Sequence, residues 1–291
     1  MTVDSVSLQS AVIRNSYEQD LNKHWEDKQA DDINLLLGQM DGLYHHHYAV
    51  GDFNRSILLA PEQEREKLIL KEMHRLETEQ VGLITDALGD LPPTARVMDG
   101  GSGRGGTSFM VHDRFGCRVD GVNFCQHHIE FAQKLAQQRG CADKVDFHYA
   151  NMVETPFEDG TFDAIYTNET TMYVDLHEAF REFARVLRPG GRYVLVTWCR
   201  NDTEVAASPD VSAIDDHYVC HIHGRGTYLK ALADNGLVPS RVLDLTESAV
   251  PYWELRSHSR LKTGVEQPFL DGYRKNHLNY LVIAAEKAVD A

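Results

Sequence analysis

The eight residues Asp99-Gly-Gly-Ser-Gly-Arg-Gly-Gly106 decide the fold of this 291-residue chain. They follow the short apolar segment Arg96-Val-Met98 and precede a helical pattern that runs to Phe115. Glycines let a backbone approach a ligand closely, and the N-terminus of a helix presents unpaired N–H groups. A strand, a glycine-rich loop and a helix in this order are typical of a nucleotide-binding α/β fold.

The loop by itself leaves the nucleotide open. From Gly101 to Gly106 it satisfies the GxGxxG pattern of dinucleotide enzymes, and it also satisfies DxGxGxG, in which Asp99 can accept a hydrogen bond from an ammonium group. Such an acid suits the amino-acid end of S-adenosylmethionine (SAM) better than a pyrophosphate. Asn151-Met152 and Leu187-Arg-Pro-Gly-Gly191 match the remaining methyltransferase motifs. We therefore expect SAM as the cofactor, with an NAD-dependent oxidoreductase as the remoter alternative.

The remainder of the chain alternates strands and helices, which predicts a parallel sheet with helices on both faces. The expected fold class is α/β, a class I SAM-methyltransferase, Rossmann-like doubly wound sheet with a helical N-terminal cap and an inserted cap segment. The expected parts are a flexible tail over residues 1–20, a helical cap over 21–92, a SAM-binding core over 93–200, and a substrate cap segment that completes the sheet over 201–291.

Composition limits the partners and the compartment. With 29 basic and 44 acidic residues the formal charge is −15, which disfavours nucleic acid and anionic lipid as partners. No apolar run approaches the ~20 residues that span a bilayer, and the first residues lack the layout of a signal peptide. We expect a cytoplasmic protein without a membrane partner; a homo-oligomer remains open.

The cysteines and a histidine run give no metal signal. The five cysteines are scattered without a CxxC pair, which is typical of reduced, packed thiols. Three consecutive histidines, His45-His46-His47, cannot all point one way on a helix, and zinc sites use wider spacing. We therefore predict solvated or supporting histidines and no protein-bound metal.

Several further segments carry a resemblance to a known family. They are Gly42-Leu-Tyr-His-His-His-Tyr-Ala-Val-Gly51, Asn168-Glu-Thr-Thr-Met-Tyr-Val-Asp-Leu-His177, Cys220-His-Ile-His223 and Pro251-Tyr-Trp-Glu-Leu-Arg256. Together with the glycine loop they resemble the geranyl diphosphate C-methyltransferases of 2-methylisoborneol biosynthesis, over nearly the whole chain from about residue 20. Those enzymes are similar in turn to cyclopropane-fatty-acid synthases, which also methylate an alkene with SAM.

The resemblance implies SAM-dependent methylation of geranyl diphosphate at C2 to give 2-methylgeranyl diphosphate, with Mg²⁺ accompanying the substrate. It implies that Tyr48 contacts the SAM carboxylate, that Glu169 is an active-site glutamate, and that Tyr218 faces the reacting carbon, where relatives have phenylalanine. It also implies that Asn34 and Arg256 lie near the diphosphate.

The chemistry of the reaction suggests roles for these residues. Attack at C2 leaves a tertiary cation at C3, which needs an aromatic face, exclusion of water and a base for the C2 proton. We assign the face to Tyr218 and the base to Glu169, which follows a strand end where open α/β sheets bind ligands. The substrate diphosphate is an alternative base. Tyr173 and His177 are candidates for shaping the site or holding the glutamate.

The predicted cofactor site combines loop and strand-end residues. Its predicted members are Tyr48, Asp99, Gly101, Gly103, Asn123, Asn151 and Met152. Asn123 replaces the acid that usually grips the ribose, and its amide can still bond a hydroxyl. His128 stands where relatives carry a glutamine near the ribose.

Two departures keep alternatives open. Tyr218 adds a hydroxyl to the pocket, which leaves the prenyl chain length and the methylated carbon undecided. Isopentenyl diphosphate or another short prenyl diphosphate is therefore the closest rival substrate. Cyclopropane-type chemistry or small-molecule O- or N-methylation would keep SAM but lose the need for Mg²⁺.

Overall fold

Seven strands form one sheet in the computed structural model, which describes residues 12–29, 32–202 and 208–289. The strands are β1 Arg96–Gly100, β2 Arg118–Asn123, β3 Val145–Tyr149, β4 Phe162–Asn168, β5 Leu187–Arg200, β6 Leu237–Asp244 and β7 Leu278–Lys287. Their spatial order is β3-β2-β1-β4-β5-β7-β6, and the first five are parallel. β7 pairs antiparallel with both β5 and β6. The predicted doubly wound α/β sheet is confirmed.

Helices cover both faces of this sheet. They are α1 Ser16–Asp27, α2 Asp32–Gly38, α3 Glu62–Leu88, α4 Gly106–Phe115, α5 Gln126–Arg139, α6 Leu176–Val186, α7 Pro209–Tyr218, α8 Arg225–Asp234, α9 Thr246–Ser257 and α10 Glu266–Arg274, with 3₁₀ turns at Arg55–Leu59 and Thr171–Tyr173. None of these helices is long and apolar enough to cross a bilayer.

Two apolar layers form because successive strand residues point to opposite faces. Val97 packs in the layer that includes Met73 of α3, whereas the next residue, Met98, packs in the layer that includes Phe180 of α6. Both layers are buried, as a parallel sheet covered on two faces requires.

The strand order places the carboxyl ends of the central strands together. In the register of the sheet, Asp99 of β1 lies beside Gly121 of β2 and Tyr166 of β4. The strand order reverses between β1 and β4, because β2 and β3 lie on one side and β5 on the other. Open α/β sheets bind ligands in the crevice outside such a switch point.

The N-terminal segment differs from the expected flexible tail over residues 1–20. The chain is helical from residue 16, and Tyr17 donates a hydrogen bond to the carbonyl of Val219 at 3.1 Å. Arg14 donates to the carboxylate of Glu178 at 2.8 Å. The expectation is wrong from α1 onward because these contacts fix the helix to the core. Residues 1–11 lie outside the described part of the chain.

The segment after β5 contains more helix than the sequence predicted. α7 lies in the expected inserted stretch and packs against α10, and α9 packs against both α10 and α3. α9 contains Pro251, although proline normally ends or kinks a helix.

Candidate active site

A cavity of about 440 Å³ lies outside the carboxyl ends of β1, β2 and β4, closed by α1, α7 and α9. Eleven of the thirteen predicted site residues line it. They are Asn34, Tyr48, Asp99, Gly101, Gly103, Asn123, Met152, Glu169, Tyr173, Tyr218 and Arg256. The predicted cofactor, base and diphosphate positions therefore share one space.

The structure does not bring Asn151 and His177 to this cavity, and we correct both expectations. The side-chain nitrogen of Asn151 donates to the carbonyl of Val12 at 3.1 Å, and its neighbours Ala150 and Met152 line the cavity instead. His177 lies exposed on α6, where its Nδ1 is 3.3 Å from the side-chain nitrogen of Asn235.

Neighbouring segments approach the backbone of this loop so closely that the loop needs glycine at two positions. Gly101 has a φ of +86°, and a Cβ there would lie 2.5 Å from Cγ2 of Thr170. At Gly106 a Cβ would lie 2.6 Å from the carbonyl oxygen of Tyr44. Side chains at either position would displace the segments that close the cavity.

Asp99 lies at the end of β1 beside this loop. It is buried, and its Oδ2 accepts hydrogen bonds from the Ser108 hydroxyl at 2.6 Å and the Tyr166 hydroxyl at 2.8 Å. Burial raises the pKa of Asp99 to about 6, although the two hydroxyl donors oppose the shift. An ammonium group in the cavity would favour the ionised carboxylate.

The end of β2 offers a neutral donor, as predicted. Asn123 lines the cavity, and its Oδ1 accepts from the backbone N–H of Cys125 at 2.8 Å; its bond to a ribose hydroxyl remains a prediction. His128 also lines the cavity, and its buried Nδ1 has no hydrogen-bond partner among the described residues. A buried polar atom without a partner is costly unless a ligand satisfies it.

His45 and His47 are buried and His46 is half-buried, which corrects the expectation of solvated histidines. His45 Nδ1 lies 3.2 Å from His47 Nε2, and Arg104 Nη1 lies 2.8 Å from His46 Nε2. Burial lowers the pKa of His47 to about 4 and holds the pKa values of His45 and His46 well below their ordinary value. These imidazoles are therefore uncharged near neutral pH, and all three line the cavity.

Glu169 follows β4 in a strained backbone conformation with a φ of +55°. Its buried carboxylate accepts the backbone N–H of Tyr48 at 2.9 Å and the hydroxyl of Tyr280 at 2.5 Å. Burial raises the pKa of Glu169 to about 8, and both hydrogen bonds oppose that shift. Backbone strain of this kind is retained at functional sites.

Two residues that sequence reasoning missed support this carboxylate. Tyr280 lies on β7, and Gln80 on α3 donates from Nε2 to the Tyr280 hydroxyl at 3.0 Å. Gln80 also exchanges two hydrogen bonds with the amide of Asn168, at 2.8 and 3.0 Å. The available signal was a glutamine within the apolar stripe of α3, where a buried amide needs partners.

An aromatic wall begins at Tyr48, whose backbone N–H bonds to the carboxylate. Tyr48, Trp198 and Tyr218 line the cavity, and Trp253 and Phe269 pack against them. The rings of Trp253 and Phe269 stack with centroids 3.8 Å apart, and Tyr48 lies 4.5 Å from Trp253 and 5.7 Å from Trp198. Tyr218 is only 5% exposed, and its hydroxyl is hydrogen-bonded to the hydroxyl of Tyr48. Tyr48 therefore belongs to this wall, and its contact with the SAM carboxylate remains a prediction.

A buried cation completes the wall. Arg256 is 3% exposed, and its Nε donates to Glu266 Oε1 at 3.1 Å. Its guanidinium carbon lies 5.5 Å from the ring centroid of Tyr48, and Lys28 Nζ lies 5.2 Å from that of Tyr218. Both cations line the cavity, so one end of it suits an anion.

Another buried carboxyl group, Glu77 of α3, bonds to a residue of α9 and was also missed. Its Oε1 accepts the hydroxyl of Tyr252 at 2.6 Å, and its Oε2 has no hydrogen-bond partner among the described residues. Burial raises the pKa of Glu77 to about 8, opposed by the Tyr252 hydroxyl and by Arg256.

This shift predicts a pH dependence of stability. Because the folded-state pKa of Glu77 is raised to about 8, its contribution is fully present at low pH and is lost as the pH rises from the ordinary value of 4.5 through 8. The folded wild type should lose on the order of 1 kcal/mol per pH unit over that window from this group. Glu77→Gln should reduce this slope in urea unfolding at pH 5, 6.5 and 8.

The exposed Glu64→Gln on the same helix serves as the matched control and should keep the wild-type slope. An unchanged slope in Glu77→Gln would contradict the protonated state of Glu77 in the folded protein.

Comparison with known proteins agrees with this geometry. A family model described as a methyltransferase domain matches residues 98–195. The geranyl diphosphate 2-C-methyltransferase of Saccharopolyspora erythraea is 46% identical, with 93% of this chain and 95% of that protein covered. That of Streptomyces coelicolor is 44% identical, with 93% of each covered.

Solved structures agree as well. The geranyl diphosphate C-methyltransferase of Streptomyces coelicolor in complex with Mg²⁺, geranyl-S-thiolodiphosphate and S-adenosyl-L-homocysteine has a TM-score of 0.92 at 43% identity, covering 95% of this chain and 99% of that chain. A geranyl diphosphate methyltransferase in complex with geranyl diphosphate and sinefungin has a TM-score of 0.91 at 45% identity, covering 94% and 100%. The class I SAM-methyltransferase fold is thus confirmed, and the chain belongs to the geranyl diphosphate 2-C-methyltransferase family.

Proposed function

We propose that this protein transfers the methyl group of SAM to C2 of geranyl diphosphate, giving 2-methylgeranyl diphosphate and S-adenosylhomocysteine. The observation that carries this proposal is the buried Glu169 carboxylate, which shares one cavity with the glycine loop and with an aromatic wall. The named relatives act on geranyl diphosphate, which favours this substrate over isopentenyl diphosphate and favours methyl transfer over NAD chemistry.

SAM binds at the glycine-loop end of the cavity. Asp99 receives its ammonium group, and the amide nitrogen of Asn123 donates to a ribose hydroxyl. A sulfonium held at this end directs its methyl group at a double bond that lies along the aromatic wall. An alkene is a weak nucleophile, so this alignment supplies much of the rate.

The aromatic wall stabilises the cation that methyl transfer creates. The C2=C3 electron pair forms the new bond to the methyl carbon, and C3 becomes a tertiary cation. Tyr218 and Trp198 present π faces to it, which are worth about 2 kcal/mol in a desolvated site. Their burial also excludes the water that would convert the cation to an alcohol.

Glu169 completes the reaction as the base. The C2–H electron pair restores the double bond, and the proton passes to the carboxylate. With a pKa of about 8, Glu169 is largely protonated in the empty cavity at neutral pH. A bound sulfonium favours the ionised form, because an opposite charge lowers the pKa of a carboxyl group.

The cationic end of the cavity holds the diphosphate. Arg256 can form two parallel hydrogen bonds with phosphate oxygens, and Lys28 adds a point charge. The carboxylate of Asp27 and the amide oxygen of Asn34 line the same cavity and are oxygen donors of the kind that Mg²⁺ prefers. Bound together with the diphosphate, Mg²⁺ would supply charge compensation that a chain of charge −15 otherwise lacks.

Product analysis tests the substrate directly. Purified protein should be incubated with SAM, Mg²⁺ and, separately, geranyl, isopentenyl and dimethylallyl diphosphate, and the products analysed by mass spectrometry. Geranyl diphosphate should gain 14 mass units, the difference between CH₃ and H, with the methyl group at C2. Methylation of isopentenyl diphosphate alone would show that geranyl diphosphate is not the substrate. Methylation of none of the three would show that prenyl diphosphates are not the substrate class.

Tyr280→Phe tests how the base is held. Loss of a hydrogen bond to an ionised group costs about 1.5–3 kcal/mol, which raises the pKa of Glu169 by about one unit or more. The acid limb of the kcat–pH profile should therefore move to higher pH, and KM for geranyl diphosphate should change little.

Tyr193→Phe is the matched control, because this buried hydroxyl bonds to Thr167 at 2.8 Å instead. It should keep the wild-type profile. An unmoved acid limb in Tyr280→Phe would remove Glu169 as the group that limits the rate at low pH.

Arg256→Lys tests the diphosphate end. Loss of paired hydrogen bonds to phosphate should weaken binding of geranyl diphosphate by about tenfold or more, while the affinity for S-adenosylhomocysteine stays unchanged in titration calorimetry. Arg260→Lys, an exposed partner of Glu62, should change neither affinity. Equal losses for both ligands in Arg256→Lys would indicate a structural role for the arginine.

A further inference from the structure

A second polar cluster joins α1 to the start of α5, next to the cofactor end of the cavity. Cys125 Sγ lies 3.1 Å from His127 Nδ1 and 3.6 Å from Glu26 Oε1, and His127 Nδ1 lies 3.2 Å from Glu26 Oε2. Cys125 is buried, and the other two side chains are partly buried. A thiol, an imidazole and a carboxyl group therefore converge within a few ångströms.

A fourth group is added by His128, which is 3% exposed. Ligand atoms of Cys125, His127 and His128 lie within 4.8 Å of one another, and the buried Nδ1 of His128 has no hydrogen-bond partner among the described residues. Residues three apart share a face of a helical turn, so Cys125 and His128 lie together. His127 joins them because its ring nitrogen lies against the thiol sulfur.

We propose that Cys125, His127 and His128, with a carboxylate oxygen of Glu26 as the fourth donor, bind a zinc-class divalent ion. Thiolate, imidazole and carboxylate are the donors that zinc prefers in proteins. Tetrahedral coordination at ordinary zinc bond lengths places neighbouring donor atoms about 3.3–3.6 Å apart. Cys125 Sγ and His127 Nδ1 are 3.1 Å apart, about half an ångström short of the sulfur–nitrogen end of that range. The two carboxylate oxygens of Glu26 face different donors, with Oε2 3.2 Å from His127 Nδ1 and Oε1 3.6 Å from Cys125 Sγ, so either oxygen can complete the set.

The charges are compatible with such an ion. Burial and the neighbouring Glu26 together raise the pKa of the Cys125 thiol to about 12, opposed by a hydrogen bond from the backbone of His128 and by Arg104. A bound metal displaces the thiol proton, so binding releases a proton and strengthens with pH. One thiolate and one carboxylate then neutralise a divalent ion, which leaves no net charge beside the buried Arg104.

This site is distinct from the position expected for Mg²⁺. Mg²⁺ prefers oxygen ligands in octahedral geometry, whereas this cluster offers sulfur and nitrogen. Another group of potential ligands, Asp120, Asp146 and His148, already pairs with cations, because Arg96 Nε lies 2.7 Å and Arg118 Nε 3.3 Å from Asp120 Oδ2. That group therefore carries no comparable inference.

Binding would tie α1 to the body of the protein. Glu26 lies on α1 next to Trp25, which lines the cavity, whereas the other donors lie at the start of α5. A bridging ion would hold this helix over the cofactor end of the cavity. It would raise thermal stability, because a ligand that binds only the folded state stabilises it.

Cobalt(II) titration of the full-length, metal-stripped protein under anaerobic conditions tests the site. The wild type should show a thiolate-to-cobalt charge-transfer band that saturates at one ion per chain and persists in excess Mg²⁺. Cys125→Ser should abolish this band. Cys141→Ser, which alters a half-buried thiol just beyond the C-terminal end of α5, should retain it.

Glu26→Gln keeps the thiol and leaves the core of the protein untouched, so it tests the site without relying on Cys125→Ser folding. It should retain the band but weaken cobalt binding by about tenfold or more. Absence of the band in the wild type, an unchanged band in Cys125→Ser, or displacement by Mg²⁺ would each overturn the proposal. None of these outcomes depends on methyl transfer, so the proposed function is tested separately.

Discussion

The burial of one carboxyl group, Glu169, is the constraint on which the rest of the site depends. Removing a carboxylate from water is costly, and the cost is met only if hydrogen bonds replace the lost hydration. Here the backbone N–H of Tyr48 and the hydroxyl of Tyr280 each take one carboxylate oxygen. The positive φ at Glu169 fits this arrangement, because it turns the chain sharply at the end of β4 and keeps the side chain inside.

Elements that are far apart in the sequence meet to satisfy this carboxylate. β7 lies antiparallel beside β5 and carries Tyr280, while α3 crosses the same layer and carries Gln80. The N-terminal cap and the C-terminal strands are therefore parts of the active site and not only its cover. The same helix carries Glu77, whose contact with Tyr252 links α3 to the arginine-bearing helix α9.

Local spacing predicted only part of the site, whereas Tyr48, Tyr218 and Arg256 came from the family resemblance. The glycine loop, Asp99 and Asn123 lie at strand ends, and a parallel sheet brings strand ends to one edge. Gln80, Glu77 and Tyr280 were missed because their partners lie 88, 175 and 111 residues away, a pairing that no local pattern expresses. The predictions for Asn151 and His177 were wrong for a related reason. Each residue is close in sequence to one that lines the cavity, but its own side chain lies outside the cavity, beside Val12 for Asn151 and beside Asn235 for His177.

The charges of the proposed reaction explain why a dry site suits it. Before transfer the cavity holds a positive sulfonium and a negative carboxylate, because the positive charge lowers the pKa of Glu169 and its proton passes to water as the cofactor binds. Methyl transfer turns the sulfonium into a neutral thioether, and deprotonation of C2 turns the carboxylate into a neutral acid. Both charges disappear in one turnover. Because unlike charges in a low-dielectric cavity are poorly solvated, their mutual neutralisation is more favourable there than in water. The burial that raises the pKa of Glu169 to about 8 thus strengthens it as a base at the step where a base is needed.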